Sequence, residues 1–302
     1  MTCVIRPLIA GVLVLQAAAQ TSAAPLQVCA LHPLMADLAR QVGGERVSVV
    51  NLMGEGGNPH RFEPRPADLQ KMQAADLVLA AGKDLEPYLG RVRDTLKGVT
   101  VVEVGRTLPS LRADPQDESG SCPEHAAGTV DPHWWQGVDP MRRAARVVAQ
   151  ALAQLDPAGK TIYLDNATAY SQRLDQLKHW ARGELGKVPS AQRKLVTPHN
   201  AFAYFAREFG FEVITVGGLN HEQNTTPQDL AQTIEAVKKT GVKAIFPETN
   251  ANTKILQSIA TATATRLGDP LIADGNGSGK DAGFEAMIRH NVESITRALA
   301  PP

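Results

Sequence analysis

MRRAARVVAQALAQLDPAGKTIYLDNATAYSQRLDQLKHWARGELGK, residues 141–187, is the stretch that decides the fold. Alanine, leucine, glutamine, arginine and lysine recur through it at helical spacing, and nowhere else is the chain less strand-like. Asp156-Pro157 interrupts the pattern. Aspartate is a good N-cap and proline a good first helical residue, so a new helix is predicted to start there and run towards Lys187. About thirty residues at 1.5 Å each make a rod of roughly 45 Å, long enough to join two lobes. Two ordinary helices with a loop near Gly183 are the plainer reading of the same residues.

Both flanks of this stretch alternate between strand and helix. Before it, Gln27 to His32, Val47 to Met53, Asp76 to Ala81 and Thr100 to Val104 read as strands, with helical segments such as Leu34 to Gln41 and Pro66 to Ala74 between them. After it, Lys194 to Thr197, Glu212 to Val216, Ala244 to Pro247 and Leu271 to Ala273 repeat the pattern, with helices near Ala201 to Phe209, Pro227 to Lys239 and Asn252 to Leu267. A βα repeat predicts a parallel sheet covered by helices. The expected fold is therefore α/β, with two lobes, each a mainly parallel sheet flanked by helices, joined by a long connecting helix. The boundaries read as 1–24 for a signal peptide, 25–140 for the first lobe, 141–190 for the connecting region and 191–302 for the second lobe.

The signal is read from one early positive charge, a short apolar run from Leu8 to Leu15, and small residues around Ala17-Ala18-Ala19 and Ser22-Ala23-Ala24. No later run approaches the length of a membrane span. The expected location is the periplasm. Formal net charge is zero, from 31 basic and 31 acidic residues, and no basic run offers a footprint for nucleic acid. Cys29 and Cys122 remain after signal removal, and a disulfide between them is possible in an oxidising compartment. Leu26-Gln27-Val28-Cys29 is only a faint likeness to a lipid-attachment site, because Cys29 lies well beyond the apolar run.

Three times a histidine directly follows a proline: Asn58-Pro59-His60, Asp131-Pro132-His133 and Thr197-Pro198-His199. Any one pair reads as a turn with a solvated ring. Together they read as placed, because proline fixes the backbone entering each imidazole, the commonest side-chain metal ligand. On the strand map His199 falls at the C-terminal end of a strand, His60 in the loop after one, and Asp274 after Leu271 to Ala273. Ligands of open α/β sheets bind beyond those ends. Three imidazoles and a carboxylate would make a four-coordinate site for zinc or a similar ion. Their separations of 73, 66 and 75 residues (60 to 133, 133 to 199, 199 to 274) require a folded scaffold to bring them together.

The residues then match a family. Asn58-Pro59-His60-Arg61-Phe62-Glu63-Pro64-Arg65-Pro66-Ala67-Asp68-Leu69, followed by Ala75-Asp76-Leu77-Val78-Leu79, resembles the first metal motif of the zinc/manganese solute-binding proteins of ABC importers. Asp131-Pro132-His133-Trp134-Trp135 resembles the second-histidine motif, Thr197 to Ala206 the third, and Pro270-Leu271-Ile272-Ala273-Asp274-Gly275 the last. The likeness covers nearly the whole mature chain. It implies two α/β lobes joined by a rather rigid helix, no catalysis, and one divalent ion held by His60, His133, His199 and Asp274 and delivered to a membrane permease. A monomer is expected, with a metallochaperone as a further possible partner. Histidine at the third position points to Zn2+ in this family, with Mn2+ the alternative. The chain departs from the pattern at Asn58, where many relatives are acidic, and in the longer tail Gln136-Gly137-Val138-Asp139-Pro140. The loop before His133 also has little histidine.

Other polar residues have plain readings. Glu248 could orient a ligand imidazole or cap a helix; Glu63 holds its own loop; His32 could face the cleft after the first strand; His221 reads as a loop residue or an entry contact; His125, His179 and His290 read as solvated, surface or packing residues. Trp134 and Trp135 are expected to cover the site or pack between lobes. A secreted zinc metallohydrolase, with Glu248 or Glu63 as base, is the rival from another class, and a metal-binding adhesin or metallochaperone a third reading. The glycine-rich run after Asp274 makes Asp274 the ligand expected to swing away when metal is released.

Overall fold

The computed structural model describes residues 24–54, 57–112, 129–215, 227–249, 253–275, 277 and 282–301. The signal segment, Cys122, Glu124, His125, His221 and the glycine run at Asn276 and Ser278 to Gly279 lie outside these residues.

The first lobe is a four-stranded parallel sheet of β1 (Leu26–Ala30), β2 (Val47–Asn51), β3 (Leu77–Ala80) and β4 (Thr100–Glu103), in the order β2-β1-β3-β4. The two inner strands are the apolar ones: β3 is Leu-Val-Leu-Ala, buried throughout, whereas the edge strands β2 and β4 are half-buried. Such continuous apolar runs are what a sheet covered on both faces requires. Between the strands run α1 (Pro33–Gly43), α2 (Pro66–Gln73) and α3 (Leu89–Arg93). Proline opens α1 and α2, where its missing N–H costs nothing, and Gly44 ends α1 at φ 55°.

The second lobe repeats the plan with β5 (Lys194–Thr197), β6 (Glu212–Thr215), β7 (Ala244–Ile245) and β8 (Arg266–Leu267), in the order β6-β5-β7-β8, all parallel. Its helices are α6 (Ala203–Phe209), α7 (Pro227–Thr240), α8 (Thr253–Thr263) and α9 (Phe284–Leu299). One strand differs from expectation. The fourth strand is Arg266–Leu267, inside the segment read as the end of a helix, and Leu271 to Ala273 makes only a single bridge, Glu248 to Leu271. The helix stops early because Ala264 turns left-handed at φ 53°, and Pro270 has no N–H to extend a ladder.

Joining the lobes are α4 (Val138–Leu155) and α5 (Lys160–Leu185), a 26-residue rod of about 39 Å. Asp156 caps the intervening turn by accepting from Gly159 N at 3.2 Å, as the Asp-Pro signal predicts, although three residues of 3-10 helix precede the rod. Asp156 also accepts from Arg46 at 2.6 Å and from the Tyr163 hydroxyl at 2.7 Å, tying the rod's start to the first lobe. At the other end of α4 the N–H groups of Val138 and Asp139, which have no partner within the helix, are met by Glu208 from α6. One continuous apolar cluster runs from Val28 and Leu34 through Trp135, Tyr163 and Leu174 to Phe205, Phe284 and Ile295. Both lobes thus share a core with the rod, which limits how far they can part. Among the described residues no helix is long and apolar enough to cross a membrane.

Cys29 is a free thiol buried in β1, opposite Val50 on one side and Val78 on the other. Burial pushes its pKa up to about 11, so it is held as an inert thiol. A cysteine at the centre of a sheet is not placed to carry a lipid.

Candidate metal centre

The Pro-His segments of His60 and His199 follow β2 and β5, that of His133 lies just before α4, and each is braced at the residue two before the histidine. Asn58 Oδ1 accepts from His60 N at 2.9 Å, Asp131 Oδ1 accepts from His133 N at 2.9 Å, and the Thr197 hydroxyl donates to His199 O at 2.9 Å. A short polar side chain bonding its own backbone two residues on is the turn chemistry of Asn, Asp and Thr. With proline between, the imidazole leaves the turn in one direction.

The three rings and Asp274 converge. His60 Nε2 and His133 Nε2 are 3.0 Å apart; Asp274 Oδ1 lies 3.4 Å from His133 Nε2 and 3.6 Å from His60 Nε2, and Asp274 Oδ2 lies 3.5 Å from His199 Nε2. All four donor atoms fall within 4.8 Å of one another. Four ligands at the usual zinc distances form a tetrahedron with edges of about 3.3 Å, and these four separations of 3.0–3.6 Å lie around that value.

Two of the rings are oriented from behind. His133 Nδ1 sits 2.8 Å from Asp131 Oδ1, and His199 Nδ1 sits 2.7 Å from Glu248 Oε2. A carboxylate only accepts, so it holds the proton on Nδ1 and leaves Nε2 to face the centre. The orienting role anticipated for Glu248 is what the geometry shows. Asp131 was missed as a partner, although its place in Asp-Pro-His was the signal. In the metal-free protein burial would lower the pKa of His199, but the charges of Glu248 and Asp274 outweigh it and raise it to about 9. Burial would raise the pKa of Asp274, and the surrounding His199 and His60 instead hold it well below the usual carboxylate range.

His32 is a further neighbour of the cluster, on the cleft side of β1. It is fully buried, caps α1 by accepting from Leu34 N at 3.1 Å, and lies with its ring centroid 4.6 Å from that of Trp135. Burial drives its pKa down to about 3 despite the nearby Asp274, so the ring is neutral. With Nδ1 engaged as acceptor, its proton is on Nε2, which makes it a donor rather than a ligand. Trp134 and Trp135 are both fully buried, the latter against His133 with centroids 5.2 Å apart. Glu63 is exposed and paired with Arg91, and His290 meets Pro270 O at the surface. Of the two carboxylates read as a possible hydrolytic base, Glu248 is bonded to His199 Nδ1 and Glu63 pairs with Arg91 at the surface.

Two four-stranded parallel lobes bridged by a long helix, with a converging His3Asp cluster between them, define a two-lobed binding protein for a divalent metal. Residues 28–298 match the family model described as zinc-uptake complex component A, periplasmic, and the chain belongs to that family. It is 30% identical over 278 residues to the manganese-binding lipoprotein MntA of Halalkalibacterium halodurans, covering 91% of this chain and 89% of that one. It is 26% identical over 282 residues to the iron-binding protein YfeA of Yersinia pestis, covering 92% and 88%. The solved structure of the periplasmic zinc-binding protein TroA from Treponema pallidum superposes with a TM-score of 0.79 at 28% identity, covering 92% of this chain and all of that one. The protein is a metal-binding substrate-binding component of an ABC importer, which works with a membrane permease and ATPase, and it is not an enzyme.

Proposed function

We propose that this chain captures one zinc ion between its lobes through His60, His133, His199 and Asp274, and presents it to the importer's permease outside the cytoplasmic membrane. The convergence of three imidazoles and one carboxylate, with a donor atom of each within 4.8 Å of the others, carries this reading. Three neutral nitrogens and one carboxylate are a donor set that suits zinc, whereas manganese favours more oxygens. Relatives named for manganese, zinc and iron are all similar to this chain, so the choice of metal rests on the donors. Manganese is the second reading, favoured by the 30% identity to a manganese-binding relative. We take residues 1–24 as the export signal, 25–140 and 191–302 as the lobes, and the protein as a monomer.

Elemental analysis of protein purified without added metal, followed by competition of zinc against manganese, tests the proposal. One equivalent of zinc that manganese does not displace is the expected result. Preferential retention of manganese would move the assignment to the second reading, and no bound metal would remove both.

A further inference from the structure

Asp274 follows a segment held unusually tightly from the far side of the cleft. Gln136 is fully buried, and its amide nitrogen donates to both Ile272 O at 3.0 Å and Ala273 O at 2.6 Å. Trp135 Nε1 adds a third bond, to Ala273 O at 2.9 Å. From within the second lobe Asn291 accepts from Ile272 N at 2.8 Å and donates to Ile272 O at 2.9 Å. Both carbonyls therefore have two donors each, the full capacity of their lone pairs. Because both acceptors are carbonyls, the NH2 of Gln136 must face them, which fixes its orientation.

Gln136 belongs to the same short turn as His133, and its own N–H donates to His133 O at 3.0 Å. The ligand imidazole of one lobe and the backbone before the ligand carboxylate of the other are thus joined through one side chain. A buried network of this kind holds a single geometry, because losing one donor would leave a dry carbonyl short of a partner. The anchor holds the backbone just before Asp274, so a swing of this residue on release is confined to its side chain.

We propose that Gln136 is a positioning residue, assisted by Trp135, that locks the backbone of Asp274 to the turn of His133 so that the two act as one unit and set how slowly metal leaves. This rests on the reading of His133 and Asp274 as ligands of one ion. Gln136→Met keeps length and bulk and removes the donor; Trp135→Phe keeps a ring and removes the indole N–H. Three quantities separate the roles: the rate of zinc transfer from loaded protein to a chelator, amide hydrogen exchange over residues 271–275 in metal-free protein, and the melting midpoint of the metal-free form.

Supporting tethers of metal ligands typically matter by 10–100-fold, so Gln136→Met should release zinc at least about tenfold faster. Exchange over 271–275 should quicken with it while exchange in α4 and α5 stays at the wild-type rate. Trp135→Phe should show the same pattern more weakly. Release within about twofold of wild type, with unchanged exchange at 271–275, would overturn the proposal, as would faster exchange throughout the molecule, the mark of a merely structural residue. If Gln136→Met does not fold, Trp135→Phe decides by the same criteria. If wild-type protein binds no metal, the ligand reading fails, and the exchange arm alone still shows whether the tie exists.

Discussion

Asp131 and Glu248 stand behind His133 and His199 at 2.8 Å and 2.7 Å, and this is where single atoms matter most to the site. Replacing either carboxylate by its amide leaves size unchanged but lets the imidazole choose the wrong tautomer. Asp131→Asn and Glu248→Gln should each weaken zinc binding roughly 10–100-fold, measured by chelator competition, with the fold intact by circular dichroism. His199 also sets the response to acid. Its pKa of about 9 in the metal-free protein means that an entering ion displaces a proton, so affinity should climb from pH 7 and level off above about 9. A flat profile between pH 7 and 9 would contradict the charge balance drawn around Glu248 and Asp274. For folding the same shift has the opposite sense. A pKa raised above the unfolded value of 6.5 stabilises the metal-free fold fully below that pH, and the contribution disappears as pH rises through about 9. The four clustered residues were legible as three repeated Pro-His turns and an aspartate after a segment read as a strand. The tie made by Gln136 was not, because a sequence shows neither burial nor which carbonyl an amide will reach.

The connecting helices carry a stronger local signal than any strand. Asp156-Pro157 marked the break between α4 and α5, and the structure adds what no local pattern could: Asp156 also binds Arg46 and Tyr163. Asp156→Ala should lower stability by about 1–2 kcal/mol, the usual cost of losing an N-cap, read as an earlier midpoint in urea denaturation. Leu174, fully buried in the middle of α5, is a separate test of the shared core. Leu174→Ala should cost about 2–5 kcal/mol, and a cost below about 1 kcal/mol would mean that the rod merely lies on the lobes. Seven of the eight strands fell where alternation placed them, with ends shifted by at most two residues. The eighth failed because Arg266–Leu267 is two residues long and continues a helical pattern, whereas the more strand-like Leu271 to Ala273 was taken up by contacts with Gln136, Trp135 and Asn291. Tertiary hydrogen bonds decided that segment, and they are invisible to periodicity.

At the scale of the whole molecule the two lobes repeat one topology, share one core with α5, and bring His60, His133, His199 and Asp274 together between them. Such a frame favours a small adjustment at the site over a wide opening of the lobes. Metal that binds only the folded form should then stabilise it by about 4 kcal/mol at a free concentration a thousand times the dissociation constant, seen as a higher melting midpoint with zinc than with a chelator. The most direct measurement is a crystal structure of the zinc-loaded protein with anomalous diffraction collected on both sides of the zinc absorption edge. The account predicts a single strong peak between the lobes, about 2.0–2.2 Å from Nε2 of His60, His133 and His199 and from a carboxylate oxygen of Asp274. A peak bound by other residues, or stoichiometric zinc with none of these four within coordinating distance, would contradict it.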